Sequence, residues 1–279
     1  MKDNEGVLIK LSDFIIDKNS MIKIPRRIDC KNGRYYELDG RYKPSVTSFL
    51  KVLNNGIGFA KWLGDSVSYD AAMAYAHERA GVGTFIHFTI LKWMQGENPD
   101  TSQPEIAHSE FRDEIVKKLL EFAQFWNQHN FKLLACEIPV WADNYPVAGT
   151  IDLILKDRNN GEIWVIDIKT GKIWPSYKWQ IAAYADLAVE CGYVPRVDHC
   201  ALLQLTEYRG NDIITSKDNP KYKIIKNGEV GLKERISRPT ILNLFQIWQI
   251  ENRKELDPKA SFEYPETIEL EEPKKEGEE

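Results

Sequence analysis

Between about Ser109 and Gln128 apolar side chains recur every three or four residues, with Phe111, Ile115, Leu119, Phe122 and Trp126 on one side of a helical projection. That spacing predicts an amphipathic helix with this face buried. Upstream, residues 66–93 favour helix, with interruptions expected near Gly81 and Gly83. Residues 1–43 have the texture of short strands and turns, and Asn32-Gly33 predicts a hairpin within Cys30–Tyr36. The Pro44–Leu50 stretch offers a serine or threonine as a helix cap. After Gln128 the period shortens to two, and strands are expected at 131–141, 147–156 and 162–169, the last two joined by the turn Asp157–Gly161. A helix over 177–190, a strand over 198–206, a polar excursion over 208–238 and a last helix to Asn252 complete the pattern. In that last helix Pro239 sits in the first turn, and Leu242, Phe245 and Trp248 point inward. Helices followed by three strands, a helix and a strand imply an α/β mixed sheet flanked by helices. One domain is expected over 1–256, with an N-terminal annex over 1–130, the sheet and its helices over 131–256, and an acidic tail over 257–279.

The strand over 162–169 carries unusual chemistry. Alternation sets Trp164, Ile166 and Ile168 on one face and Ile163, Val165, Asp167 and Lys169 on the other. Both faces are apolar up to Asp167, as in a central strand covered on both sides. A carboxylate and an ammonium at the end of such a strand are costly to bury unless paired or bound. Asp152 lies on the preceding strand, and a short turn would make the two strands antiparallel neighbours and bring Asp152 near Asp167. Two clustered carboxylates call for a positive partner, and a hard divalent ion, Mg²⁺ or Mn²⁺, fits oxygen ligands of this kind. Lys169 beside them could orient or activate a water or stabilise charge on phosphorus. Alone, D-x-K is a common tripeptide, and an Asp–Lys pair closing a sheet edge also accounts for it.

Composition narrows the class without deciding it. The chain has 279 residues, 43% hydrophobic and 28% charged, enough for a sizeable core. The formal net charge of −5 is concentrated at one end. Residues 251–279 carry eleven acidic and five basic side chains, which leaves +1 over residues 1–250. Phosphate binding needs a local basic groove rather than a basic total, so the charge argues neither for nor against a nucleic-acid partner. No apolar run is long enough to span a bilayer, and the polar start Met1–Gly6 lacks a secretory stretch, so no membrane association and a cytoplasmic location are expected. The four cysteines (Cys30, Cys136, Cys191, Cys200) include no close pair of the kind that holds zinc or a cluster. No P-loop motif is present, so no nucleotide cofactor is expected.

Four motifs stand in order: Gly83-Thr84-Phe85-Ile86-His87, Gly149-Thr150-Ile151-Asp152, Asp167-Ile168-Lys169-Thr170-Gly171 and Gln180-Ile181-Ala182-Ala183-Tyr184. Together they resemble the RecB-like, Cas4-like branch of the PD-(D/E)XK nucleases, and within it phage exonucleases and the mitochondrial genome-maintenance exonuclease. Pro44-Ser45-Val46-Thr47 also resembles an N-terminal element of phage and mitochondrial members. The resemblance implies a restriction-endonuclease-like core with a helical N-terminal annex. It further implies a metal-dependent deoxyribonuclease, of exonuclease type, acting on DNA ends in phage or mobile-element DNA processing. A recombination or replication protein is a further candidate partner, and a phage-encoded enzyme would work in the host cytoplasm.

By the same resemblance Asp152, Asp167 and the backbone carbonyl of Ile168 ligate the metal, His87 completes or flanks its shell, and Lys169 is the catalytic lysine. Glu137 supports the site or acts as an outer ligand, and Gln180 and Tyr184 hold substrate or the lysine. Thr150, Thr170, Lys172 and Trp174 are candidate substrate contacts, the last two because aromatic and basic side chains together grip single strands. On their residues alone, His87 also fits a satisfied core histidine and Glu137 a surface glutamate. The iron–sulfur cluster of some relatives is not expected, since only Cys191 and Cys200 fall late in the chain. A structure-specific endonuclease and a catalytically silent binding fold are the alternatives.

Overall fold

The computed structural model describes residues 24–30, 32–53, 63–205, 222–226 and 236–252. Its centre is a five-stranded sheet of order β4-β5-β6-β7-β8: β4 (Phe131–Trp141), β5 (Ala148–Asp157), β6 (Ile163–Lys169), β7 (His199–Gln204) and β8 (Lys223–Lys226). β4, β5 and β6 run antiparallel through short turns, β6 and β7 run parallel, and β8 returns antiparallel to β7. A parallel pair needs a crossover, and the helix Ser176–Glu190 supplies it. The mixed α/β sheet expected from the pattern is therefore present, and the strand limits agree within two residues at each end.

The two faces of β6 separate the core into two halves, as alternation requires. Trp164, Ile166 and Ile168 pack with Ile86 and Ile90 of α2 (Tyr69–Met94) and with Leu119, Phe122 and Phe125 of α4 (Arg112–Gln128). A four-residue helix, α3 (Pro104–Ala107), lies between those two in the chain. On the opposite face, Ile163 and Val165 pack with Ile181, Ala185 and Ala188 of α5 (Ser176–Glu190) and with Phe245 and Trp248 of α6 (Arg238–Glu251). Fully burying a side chain such as Phe122 or Ile166 contributes about 1.5–3 kcal/mol, so this one strand anchors both halves. No helix among the described residues is long and apolar enough to cross a membrane.

A smaller antiparallel sheet precedes the main one: β1 (Arg26–Cys30), β2 (Gly33–Leu38) and β3 (Arg41–Pro44). The Asn32-Gly33 turn lies where the dipeptide placed it, with Cys30 opposite Gly33. Gly33 adopts φ +139, and a Cβ there would stand 3.0 Å from Ser48 Oγ, so glycine serves both the turn and a close approach. Ser45 caps the short helix α1 (Val46–Phe49), its side chain accepting from Ser48 N. The small sheet joins the large one through a bridge between Ser45 and Ala148 and a 2.8 Å hydrogen bond between the Tyr36 and Thr150 hydroxyls.

Three expectations are corrected. α2 runs through Gly81 and Gly83 without a break. A helical glycine costs only about 1 kcal/mol, and Gly83 has a packing role: a Cβ there would meet Thr170 Oγ1 at 3.1 Å. On α4, Phe125 is fully buried while Phe111 and Trp126 are only partly so. The same helix also buries Glu114, Lys117, Lys118 and Glu121. On α6 the inward residue of the first turn is Ile241 rather than Leu242. Of the 208–238 excursion, the described part holds strand β8 and the start of α6. Residues 1–23 and the acidic tail lie outside the described residues.

Gly81 has open space where its Cβ would be. Gly81→Ala should therefore stabilise the protein by roughly 0.5–1 kcal/mol, seen as a raised midpoint in thermal denaturation.

Candidate metal centre and its cleft

The sheet register composes the site. β5 and β6 pair at Leu153–Ile166, so the next rung places Asp152 across from Asp167. β4 and β5 pair at Cys136–Leu153 and at Ile138–Ile151, and the rung between them places Glu137 across from Asp152. Three carboxylates from three adjacent strands thus stand in one transverse row. The backbone ladder does not close along it. Pairing of β5 with β6 stops at Leu153–Ile166, and the Ile168 N–H donates instead to Asp152 Oδ2 at 2.6 Å. Glu137 takes a left-handed backbone, φ 49, which costs a non-glycine residue of order 1–3 kcal/mol. Face alternation resets there. Cys136 and Leu153 pack on the α2/α4 side, while Ile138 and Ile151 pack on the α5 side.

His87 descends on this row from α2. Its Nδ1 lies 3.1 Å from Glu137 Oε1 and 3.6 Å from Asp152 Oδ2. His87, Glu137 and Asp152 offer donor atoms within 4.8 Å of one another. On the other side of the row, Asp167 is almost wholly buried and held by α5. The Gln180 amide donates to Asp167 Oδ1 at 3.0 Å and contacts the Tyr184 hydroxyl at 3.3 Å. Lys169 Nζ lies 2.7 Å from Asp167 Oδ2, donates to Gln180 Oε1 at 3.1 Å and sits 4.1 Å from the centre of the Tyr177 ring. Among the described residues, Asp167 Oδ2 is held by this ion pair with Lys169 rather than by a well-directed hydrogen bond. The expected one-face pairing of Gln180 and Tyr184 is what sets the Tyr184 hydroxyl beside the amide that reaches Asp167. The ring needs room: a Cβ on Gly149 would stand 2.5 Å from Tyr184 Cε1, which explains the glycine three residues before Asp152.

The electrostatics are those of crowded, buried acids. Burial pushes Asp152 up to about 6, with Glu137 adding to the rise and His87 and Lys169 opposing it. Burial likewise raises Asp167 to about 6 against the pull of Lys169. For His87, burial acts downward but is outweighed by Asp152 and by the hydrogen-bonded Glu137, which together hold it up at about 9. For Lys169 burial also acts downward, and Asp167 and Asp152 overcome it, so the ammonium is charged at neutral pH. An imidazole and two carboxylates within reach of one atom, beside a third, buried carboxylate, suit a divalent cation. Glu137, expected as support, stands inside the tight donor group, whereas Asp167 stands beside it in the grip of Lys169 and Gln180.

Every residue singled out from sequence lines one cleft of about 890 Å³, including Thr150, Ile168, Thr170, Lys172 and Trp174. Lys172 Nζ lies 4.8 Å from the Trp174 ring centre. Sequence reasoning missed several groups that complete it. Tyr75, Arg79 and Phe88 extend the stripe that Gly83, Thr84 and His87 make along α2, and Arg27 and Arg34 reach in from the small sheet. Behind the cleft, Arg79 makes a two-pronged ion pair with the buried Glu114, and Lys118 lies 3.7 Å from Glu114. Lys118 Nζ also donates to the Thr170 carbonyl at 2.6 Å, one residue beyond Lys169. Charged residues on a helix are ordinarily assigned to solvent, so no local pattern marks these.

The sequence profile of the PD-(D/E)XK nuclease superfamily matches residues 69–238. That span runs from the first residue of α2 into α6 and contains the whole row. No curated protein sequence matches the chain. Among solved structures, "Crystal structure of SSO0001" is similar at a TM-score of 0.36 and 14% identity, covering 78% of this chain and 79% of its own.

Lys118→Met removes the donor to a buried carbonyl while Glu114 keeps Arg79, and should destabilise by about 1–3 kcal/mol in urea unfolding. Protons compete with a cation for Asp152 and Asp167, so affinity for Mg²⁺ or Mn²⁺ should fall as pH drops through about 6. Because His87 is protonated up to about 9, ion binding at neutral pH should also release a proton. Calorimetry in buffers of different ionisation enthalpy reads that release, and heats independent of buffer would exclude His87 as a donor.

Proposed function

The chain belongs to the PD-(D/E)XK nuclease superfamily, and on that footing we propose that it is a divalent-metal-dependent DNA exonuclease of the RecB-like branch, acting at free ends. The observation that carries the reading is the row Glu137–Asp152–Asp167 with His87 above it and the charged Lys169 at its edge. His87, Glu137, Asp152, Asp167 and the Ile168 carbonyl are the groups that would hold the ion. When bound, it lowers the pKa of a water and polarises the phosphodiester.

The protein's own groups do the rest. Lys169, a charged donor fixed by Asp167, Gln180 and the Tyr177 ring, faces the cleft and stabilises the negative charge that develops on the phosphate oxygens. Its raised pKa fits it to that role rather than to taking a proton from water. Gln180 ties Lys169 and Asp167 together through one amide, oxygen to the lysine and nitrogen to the carboxylate. Lys172 with Trp174 on one wall, and Tyr75 and Phe88 on α2, offer the stacking faces and charge that suit a single strand. The preference for ends over internal sites rests on the resemblance to phage and mobile-element exonucleases. A role in phage or mobile-element DNA processing, in a cytoplasm, accords with the same resemblance.

The test uses end-labelled linear DNA, single- and double-stranded, and a closed circle, with Mg²⁺ or Mn²⁺. Linear DNA should be degraded and the circle spared. EDTA should abolish the activity, and Lys169→Ala should lower it by two or more orders of magnitude, in the range for removing a group that stabilises transition-state charge. Nicking of the circle would replace the exonuclease by an endonuclease, and binding without cleavage would leave a catalytically silent fold.

A further inference from the structure

The Pro44–Ser48 segment has a clear structural effect. Ser48 Oγ accepts from Arg34 N at 3.0 Å and donates to Arg34 O at 2.9 Å, and Ser45 N donates to the same carbonyl at 2.9 Å. The Ser45 side chain in turn bonds Ser48 Oγ at 2.9 Å and Thr47 Oγ1 at 2.8 Å. The serines therefore clamp the main chain of one residue, Arg34, on both its N–H and its C=O. The register of the small sheet places Asp29 directly opposite Arg34. Asp29 accepts from Arg34 Nε at 3.0 Å and from Arg27 Nε at 2.9 Å, one oxygen to each arginine. Two guanidiniums are thereby gathered around a single carboxylate, with a surplus of one positive charge. Both line the cleft that holds Asp152, Asp167 and Lys169, and so does Thr47. A guanidinium carries five donors in a planar fork, and Asp29 engages only part of each.

The whole corner is fastened to the chemistry. Tyr36, opposite Arg27 in the register, is 1% exposed, and its hydroxyl bonds Thr150, two residues before Asp152. Arg26 is the internal control that the strand itself provides. It precedes Arg27, so alternation turns it away; it pairs with Glu37 and does not line the cleft.

We propose that Arg27 and Arg34, held by Asp29 and by the Ser45/Ser48 clamp, form a phosphate-binding corner that grips the sugar–phosphate backbone of the nucleic-acid strand entering the cleft. The inference rests on the nuclease reading above and adds the place where the strand is held away from the reacting bond. Contacts to the backbone position the strand without reading its sequence. The corner thus supplies binding and register, and the row of carboxylates supplies the chemistry.

The experiment compares the parent with Arg27→Gln, Arg34→Gln, the double variant and Arg26→Gln. Glutamine keeps a polar side chain at these half-exposed positions, and thermal melts check folding. Steady-state cleavage of a labelled single strand should show KM raised about tenfold in each corner variant, the loss expected for a charge-assisted contact, with kcat within a factor of two or three. Anisotropy with the same strand, in a Lys169→Ala background, should show the slope of log K against log salt reduced in the double variant by roughly 1.4, about 0.7 per lost contact. Arg26→Gln should match the parent in both. Corner variants that cleave with unchanged KM and bind with an unchanged salt slope overturn the proposal, as does an equal effect of Arg26→Gln. A parent that neither binds nor cleaves any strand overturns the nuclease reading and the corner with it.

Discussion

Three carboxylates set side by side across adjacent strands, two of them buried, are the constraint to which the rest of the molecule answers. Each is expensive to keep ionised away from solvent, and each raises the cost of the next. The response is visible in every direction. Lys169 leans on Asp167, His87 leans on Glu137 and Asp152, the Gln180 amide covers Asp167, and the Ile168 N–H leaves the sheet ladder to serve Asp152. Even so, Asp152 and Asp167 remain well above the ordinary carboxylate range. Burial is the main cause, and three carboxylates facing the two cations His87 and Lys169 leave room for a divalent ion.

The fold holds this arrangement still. β6 is buried on both faces, so the strand bearing Asp167 and Lys169 cannot shift without disturbing both halves of the core. α5 lies against it with a run of small side chains, Ala182, Ala183, Ala185 and Ala188, that bring Gln180 and Tyr184 close. From the opposite side, α2 delivers His87 and α4 delivers Lys118 to the Thr170 carbonyl just past β6. The Arg79–Glu114–Lys118 chain joins those two helices through buried charge rather than through packing alone. Such pairs contribute little net stability but are costly to break singly.

What could be foreseen from sequence was what obeys a short period. Alternation along 162–169 assigned every residue of β6 to its observed face, and a short turn sufficed to bring Asp152 toward Asp167. The four-residue spacing of Gln180 and Tyr184 likewise placed both on the face that meets Asp167. The failures have the opposite character. A three-or-four rule after Phe122 cannot choose between Phe125 and Trp126, since both continue the stripe and the tilt of α4 on the sheet decides. Lys117, Lys118, Glu114 and Glu121 are charged residues on a helix, and only tertiary partners reveal that they are inside. Arg27 and Arg34 carry no local mark of pointing into a cleft formed more than a hundred residues later. Glycines misled where they were taken as breaks: Gly83 is there for the approach of Thr170, and its helix continues.

Glu137 sets folding and chemistry against each other at a single backbone position. With φ at 49 it occupies a conformation in which glycine would rest without strain. A chain selected only for thermal endurance would drift toward glycine there. It would gain a relaxed strand and lose the donor that converges with those of His87 and Asp152. The glutamate is thus a position at which improving the protein as a solid would impoverish it as a reagent. Efforts to harden this molecule by consensus or by strain relief would have to leave that residue alone.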